Sequence, residues 1–411
     1  MTFQIGVIQF PGSNCERETK LALLRTQLNP VDIFWFSDAD TLEKCDGYVI
    51  VGGFSYEDRA RSGVIAAHDP LMKALTHEAK KGKPILGICN GAQILVESGL
   101  VPGCVNENNE TETVMALAHN RRILDEEIIG TGFYNAWMLM KAEKSPLLKV
   151  PVAHGEGRFL MSDDLYALLQ KSNVLCWYYV DENGNRNPNF PTNPNGAYQN
   201  LAAVGNFSGN ILAMMPHPER TIDGNFVFEN MRHYLENRKP FQWITKKSQE
   251  SFKNKIKVQC DHFSKTYFVR LAISDNESIS VQMALQKLGL DILVQKYRFW
   301  GLNADEKELT KIENSFELWN PQKENVYHTL PEIKNTHYLL VNDFGDTIAA
   351  QKALRLKDRI KVTSLSRLTT GIIWQLTGSV EMVSKAIKSH LLFNPISQQA
   401  VSLNQGVLCQ T

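Results

Sequence analysis

Over the first 235 or so residues, short unbroken apolar runs alternate with longer amphipathic stretches. Ile5–Phe10, Asp32–Phe36, Gly47–Val51 and Pro84–Ile88 are rich in Ile, Val and Phe and read as buried strands. Glu16–Thr26 and Asp69–Lys80 read as helices between them; on the second, Met72, Leu75 and Ala79 recur at helical spacing. Further strands are predicted at Ala136–Lys141, Leu175–Val180, Ala202–Asn206 and Ile211–Met215, and a closing helix at Phe226–Leu235. Strands separated by helices require crossover connections, so the pattern predicts an α/β domain over residues 1–235 with an open, mostly parallel sheet flanked by helices.

A second texture begins further on. Between 236 and 264 basic residues crowd together: from Glu236 to Lys265 there are eight Lys and Arg against three acids, a local net of +5. This reads as a solvated basic linker. Residues 265–411 then carry a weak internal repeat, about 265–333 and 334–411. Strand-like Tyr267–Ile273, helical Ile279–Leu288 and strand-like Ile292–Arg298 correspond to Tyr338–Val341, Thr347–Leu356 and Ile360–Leu365. Each copy later reaches an Asn-Pro step, Asn320-Pro321 and Asn394-Pro395, 74 positions apart. In the second copy Val383, Ala386, Ile387 and Leu391 form a helical stripe, and Ile396–Leu403 supplies a last strand. The order β-α-β-β-α-β predicts a ferredoxin-like α+β unit in each copy, with the first copy short of its second hairpin strand. Two copies in one chain form a built-in pseudo-dimer.

Composition narrows the class. Lys plus Arg and Asp plus Glu both number 44, which argues against a nucleic-acid partner held by bulk charge. Seven cysteines without a C-x-x-C pair argue against a disulfide scaffold or a zinc ribbon, and no metal ligand set is expected. No apolar run reaches membrane-spanning length, and the N-terminus lacks the features of a signal peptide, so the expected location is the cytoplasm, with no membrane partner.

The chemistry concentrates at Leu86-Gly87-Ile88-Cys89-Asn90-Gly91-Ala92-Gln93. A buried strand runs into Cys89 and an apolar helix leaves it, which is the form of a nucleophile elbow. The turn is tight enough to demand glycine two positions before and two after the nucleophile. The helix N-terminus beneath Cys89 favours negative charge there. A thiolate attacking an amide needs a base and an oxyanion hole. His217, after a buried strand and between two prolines, is the candidate base, with Glu219 to orient it. The Asn90 N–H and the Gly52-Gly53 turn, through Gly53, are the candidate oxyanion donors. His154 and Glu156 form a rival His-x-Glu pair.

Gly87-x-Cys89-x-Gly91-x-Gln93 with His217-x-Glu219 resembles the triad class of glutamine amidotransferases. Phe10-Pro11-Gly12-Ser13-Asn14-Cys15, Gly52-Gly53-Phe54-Ser55-Tyr56, Ala153-His154-Gly155-Glu156-Gly157-Arg158 and Asn193-Pro194-Asn195-Gly196 occur in the order found in the glutaminase subunit of phosphoribosylformylglycinamidine synthase, from purine biosynthesis. The resemblance spans about residues 3–235. It implies Cys89 as nucleophile, His217 and Glu219 as its triad partners, Gln93 as a contact for the substrate L-glutamine, and a glutamine-binding or partner-facing role for His154 and Glu156. Two departures stand out: Glu57 occupies a position that is usually glycine, and Ala197-Tyr198-Gln199-Asn200 is looser than the family pattern.

The second half more weakly resembles the small accessory subunit of the same synthase, a ferredoxin-like protein that works as a dimer. Its carriers are Tyr267–Ile273 with Met283–Gly289, and Leu391-Leu392-Phe393-Asn394-Pro395-Ile396. The resemblance implies a multi-subunit complex in which a large synthetase subunit, with its own ATP and Mg, uses the ammonia to convert formylglycinamide ribonucleotide to the amidine. This chain has no Gly-x-x-x-x-Gly-Lys-Ser/Thr sequence, so no cofactor is expected on it and the synthetase is expected to be a separate polypeptide. Other readings of the same residues are a cysteine-elbow hydrolase without ammonia coupling and a small-molecule-sensing C-terminal module.

Overall fold

In the computed structural model, which describes residues 2–237, 239–247 and 263–403, the chain divides into two units, Met1–Ser251 and Phe252–Thr411. The first holds a nine-stranded sheet. Its catalytic half is parallel: Ile211–Met214, Ile85–Ile88, Gly47–Ile50, Gln4–Gln9 and Asn29–Phe34 lie side by side in that order. The middle three and Ile211–Met214 are the apolar runs of the sequence, and residues such as Ile5, Val49, Ile50 and Ile88 have no exposed surface. The edge strand differs from the expected Asp32–Phe36: it runs from Asn29 to Phe34 with only Ile33 buried, and Trp35 and Phe36 lie exposed beyond it. Beyond Ile211–Met214 the sheet continues antiparallel through Leu201–Gly205, Cys176–Val180, Tyr134–Lys141 and Leu148–His154. Helices Glu16–Arg25, Pro70–Lys80, Asn90–Glu97 and Asn225–Glu236 accompany the parallel half. Asp69 caps the second of these, accepting from the Leu71 N–H, with Pro70 at its first turn.

The end of this unit differs from the sequence expectation. The chain does not leave the domain at 235: Lys246–Lys247 pairs in parallel with Cys104–Val105, and Ser208 Oγ donates to Ile244 O at 3.0 Å. Residues 248–262 of the expected basic linker lie outside the described residues.

The second unit contains a six-stranded antiparallel sheet in the order Glu324–Tyr327, Lys265–Leu271, Leu293–Asn303, Arg367–Thr377, Thr336–Asp343, Gln398–Ser402. Both copies are β-α-β-α-β: the first has the three strands expected of it, and the second has three rather than four. The expected strand at Ile360–Leu365 is a connection without strand structure that buries only Val362 and Leu365. Lys361 is left-handed (φ 59°), Val362 and Leu365 turn into the helix-side core, and the Glu308 carboxylate accepts the N–H groups of Thr363 and Ser364 that a sheet would have used. The expected hairpin is replaced by one long strand per copy. Leu293–Asn303 and Arg367–Thr377 pair along their full length with Arg298 opposite Ile372, 74 positions apart like the two Asn-Pro steps.

The repeat is kept in its details. Trp300 Nε1 donates to Leu318 O at 2.9 Å and Trp374 Nε1 to Leu392 O at 3.2 Å. Phe316 and His390 both take left-handed conformations at the ends of helices Glu306–Ser315 and Val380–Lys388. One apolar cluster joins Trp300 and Ile312 of the first copy to Ala349 and Leu356 of the second, so the copies share a core.

Candidate active site

Cys89 stands between strand Ile85–Ile88 and helix Asn90–Glu97 with φ 51° and ψ −105°, a conformation that L residues rarely adopt. Its N–H donates to Met214 O at 2.8 Å, tying the corner to the neighbouring strand, and its carbonyl accepts from Ala92 and Gln93 in the first turn of the helix. The flanking glycines are sterically required. A Cβ on Gly87 would lie 2.5 Å from Gly91 O, and one on Gly91 would lie 2.1 Å from Ile50 O.

His217 follows strand Ile211–Met214 and is held by its own N–H to Pro151 O at 2.8 Å. Its Nδ1 lies 2.6 Å from Glu219 Oε1, and both residues are 1 % exposed. The Nδ1–H donates to the carboxylate, which turns Nε2, without a hydrogen-bond partner among the described residues, toward catalytic use. A Cβ on Gly52 would lie 3.1 Å from His217 Cε1 and 3.5 Å from Cys89 Cβ, so imidazole and nucleophile flank the same glycine. Cys89 Sγ is directed at Ala153 O, 3.8 Å away. Burial alone would push the imidazole down, but the Glu219 charge and the neighbouring Cys89 and Cys15 sulfurs raise it well above its ordinary value.

The turn that follows Gly47–Ile50 faces the elbow. Gly53 has φ 148° and bridges Ser13 through the N–H groups of Phe54 and Asn14, which leaves the Gly53 amide outside that pair of bonds. After it, Tyr56, Glu57 and Asp58 are all left-handed (φ 51°, 57° and 53°). Glu57 therefore keeps the conformation that a glycine would adopt freely, and so does Gln199 (φ 50°) in the other departing segment. Arg61 anchors this loop to the nucleophile's helix through a buried two-point pair with Glu97, at 3.1 and 2.9 Å.

Asn90 uses its side chain as a junction. Its Oδ1 accepts from the Ser55 N–H at 3.0 Å, and its Nδ2 reaches Gln93 Oε1 at 2.8 Å and Asp58 Oδ1 at 3.3 Å. Gln93 Nε2 in turn donates to Glu156 O at 2.6 Å. Burial, and then the charge of Glu156, push Asp58 up to about 7.

His154 and Glu156 do not pair with each other. His154 is buried with Nδ1 3.3 Å from Asn120 Oδ1, packed so closely on Gly157 that a Cβ there would sit 2.1 Å from the ring. Burial, and then the charge of His217, lower it to about 3. The Glu156 carboxylate instead accepts from Ser62 N at 3.3 Å and lies 3.7 Å from His119 Nδ1.

Two functional neighbours escaped the sequence reading, Asp58 and Cys15. Cys15 is buried beside His217, and Arg220 Nη2 donates to its sulfur at 3.1 Å. Donor atoms of Cys15, His217 and Glu219 lie within 4.8 Å of one another, a spacing a metal could bridge. The short His217–Glu219 bond and the guanidinium on Cys15 engage that set within the triad itself. The Pro11-Gly12-Ser13-Asn14-Cys15 motif was the one available signal for Cys15.

An elbow cysteine with a buried His–Glu pair beside it, on an open α/β sheet, defines a thiol-dependent amide-hydrolysing site. Residues 2–257 match the CobB/CobQ-like glutamine amidotransferase domain, and the chain belongs to that family. Among its relatives is the phosphoribosylformylglycinamidine synthase subunit PurQ of Methanothrix thermoacetophila, 38% identical over 266 residues, an alignment covering 57% of this chain and 99% of that one. A chain from the solved structure of PurLQS from Thermotoga maritima is 30% identical, with a TM-score of 0.45, over 57% of this chain and 100% of its own. A glutamine amidotransferase of Thermotoga maritima is 12% identical, with a TM-score of 0.29, over 57% of this chain and 93% of its own.

Proposed function

We propose that this chain is the glutaminase component of phosphoribosylformylglycinamidine synthase, releasing ammonia from L-glutamine for a synthetase subunit. The observation that carries this reading is the buried 2.6 Å His217–Glu219 pair set across Gly52 from Cys89. His217 takes the thiol proton, and the imidazolium, stabilised by Glu219, holds the thiolate beside it. The thiolate attacks the side-chain amide carbon, and the N–H groups of Gly53 and Asn90 receive the developing oxyanion. His217 returns its proton to the amide nitrogen, the C–N bond breaks, and ammonia leaves a glutamyl thioester on Cys89. A water deprotonated by the same imidazole hydrolyses the thioester to glutamate and restores the thiol. Gln93, anchored on Glu156 O, lines the path of the substrate, with His154 and Glu156 behind it.

Ammonia must reach the acceptor unprotonated, so it passes to the synthetase within a complex. ATP and Mg belong to that subunit, which activates the formyl amide of formylglycinamide ribonucleotide. The second unit acts as the accessory element of the assembly. Its two copies, related through the long central strand pair, supply within one polypeptide the two-fold unit that a separate accessory subunit forms by dimerising.

The test is isotopic. With amide-15N glutamine, ATP, acceptor nucleotide and the synthetase, label is expected in the amidine product in a one-to-one ratio with glutamate. Glutamate formation without label transfer would favour a stand-alone hydrolase.

A further inference from the structure

Glu219 is the buried end of the triad, yet only one of its oxygens serves the imidazole. Oε1 lies 2.6 Å from His217 Nδ1, whereas Oε2 has no hydrogen-bond partner among the described residues. The last torsion of a glutamate is soft, so a carboxylate held at one oxygen rotates unless a neighbour fixes it. Arg220 is that neighbour. Its Nε lies 3.6 Å from Glu219 Oε1, an electrostatic contact, while its Nη2 donates to Cys15 Sγ at 3.1 Å. Cys15 in turn donates its S–H to Asn14 Oδ1 and its N–H to Gly52 O, each at 3.2 Å. Gly52 is the glycine that His217 and Cys89 flank, and a Cβ there would lie 3.1 Å from Cys15 Sγ as well as 3.1 Å from His217 Cε1. The sulfur that receives Arg220 therefore packs against the same point as the imidazole. Helix Glu16–Arg25 grips the turn Pro218–Arg220 from both of its ends. Cys15 stands at its N-cap under Arg220, and Arg25 at its last position donates through Nη2 to Glu219 O at 3.1 Å.

We infer that Arg220 is a positioning residue of the triad: its guanidinium, spanning Cys15 and Glu219, fixes the carboxylate on Nδ1 and keeps His217 Nε2 turned to Cys89. The inference rests on the glutaminase reading and concerns how its base is held. Arginine suits the task because its planar fork offers two donors at a fixed separation, one for the sulfur and one for the carboxylate side. A lysine would supply the same charge from a single point. The Arg220 side chain is 35 % exposed and that of Glu219 is 0 % exposed, so the guanidinium stays partly hydrated while its charge bears on a carboxylate that water does not reach. One short segment thus carries the base, the carboxylate that orients it and the group that fixes the carboxylate. A contact for substrate would be felt in KM, whereas a positioning role is felt in kcat.

The experiment measures glutamate release from L-glutamine by the full chain with its synthetase, for wild type, Arg220→Gln, Arg220→Lys, Cys15→Ala and the double variant of Arg220→Gln with Cys15→Ala. Each single variant is expected to lower kcat about tenfold or more with KM within about threefold of wild type, because the loss falls on the base and not on substrate binding. The double variant is expected to lose no more than about threefold beyond Arg220→Gln alone, since both groups belong to one contact. A kcat within about twofold of wild type in Cys15→Ala would overturn the inference, and so would the same result in Arg220→Lys, which would show that a point charge suffices. A KM raised about tenfold would also overturn it, making Arg220 a substrate contact, as would losses that multiply in the double variant. If Arg220→Gln fails to fold, Arg220→Lys and Cys15→Ala decide by the same measures. A wild type that releases no glutamate would instead remove the glutaminase reading itself.

Discussion

His217 and His154 are both buried imidazoles close enough to feel each other, yet their surroundings drive them apart. Glu219 sits on one and favours its taking a proton, whereas the other has an amide oxygen at 3.3 Å and stays neutral. His217→Ala is therefore expected to lower glutamine turnover by about a thousandfold or more, and His154→Asn by far less, with steady-state glutamate release as the readout. The reverse order would move the base to 154. His154 has a second signature. Its folded-state value of about 3 lies below the ordinary one near 6.5, so the unfolded chain binds the extra proton between them and the stability it provides is lost as pH falls through that window. Wild type should lose up to about 1.4 kcal/mol per pH unit more than His154→Asn there, measured by urea unfolding at several pH values. At this scale Cys89, His217 and Glu219 stood out as candidates because their motifs are local. The sequence ranked His217 over His154 on the flanking prolines, without the reason the structure supplies: the same spacing brings the carboxylate onto the ring at 217 and away from it at 154. Asp58 and Cys15 reach the site only through contacts with residues distant in the chain.

At the scale of elements, the elbow works because a strand, a left-handed cysteine and a helix meet where no side chain is tolerated. Gly91→Ala must push its methyl into Ile50 O, and is expected to cost about 2 kcal/mol or more and to abolish turnover, as read by urea titration and glutamate release. A variant of wild-type stability would show that the corner is looser than described. Four of the parallel strands were legible because both faces are buried and apolar residues run on; the edge strand Asn29–Phe34 buries only Ile33, and its bounds were misplaced toward the exposed Trp35 and Phe36. The strands at Arg121–Leu124 and Glu127–Thr131 were not, since they form a two-stranded ribbon in which no residue is buried and which follows no apolar period. Helix Asp163–Lys171 buries only Leu165 and Leu169 and left too narrow a stripe to notice. Ile360–Leu365 misled for a different reason. Its apolar residues serve the core beneath the helices, while a carboxylate from another helix satisfies its amides.

For the whole molecule, the repeat seen in the sequence corresponds to two copies that complete one sheet and one shared core. Residues 263–333 alone would expose the edge of Leu293–Asn303 that pairs with Arg367–Thr377, so that fragment is expected to be dimeric by light scattering, pairing this edge with itself. A folded monomer would contradict the shared core. Removing residues 265–411 is expected to leave Cys89 reactive toward a glutamine-like electrophile while co-purification with the synthetase is lost; undiminished binding would end the accessory role proposed for the second unit. The central claim is that ammonia arises at one sulfur and is consumed elsewhere. Its most direct test is Cys89→Ala assayed in the assembled complex with glutamine and, separately, with ammonium salt as nitrogen donor. Synthesis from glutamine should vanish while synthesis from ammonium persists at the wild-type level. Retained use of glutamine, or loss of both, would contradict the account.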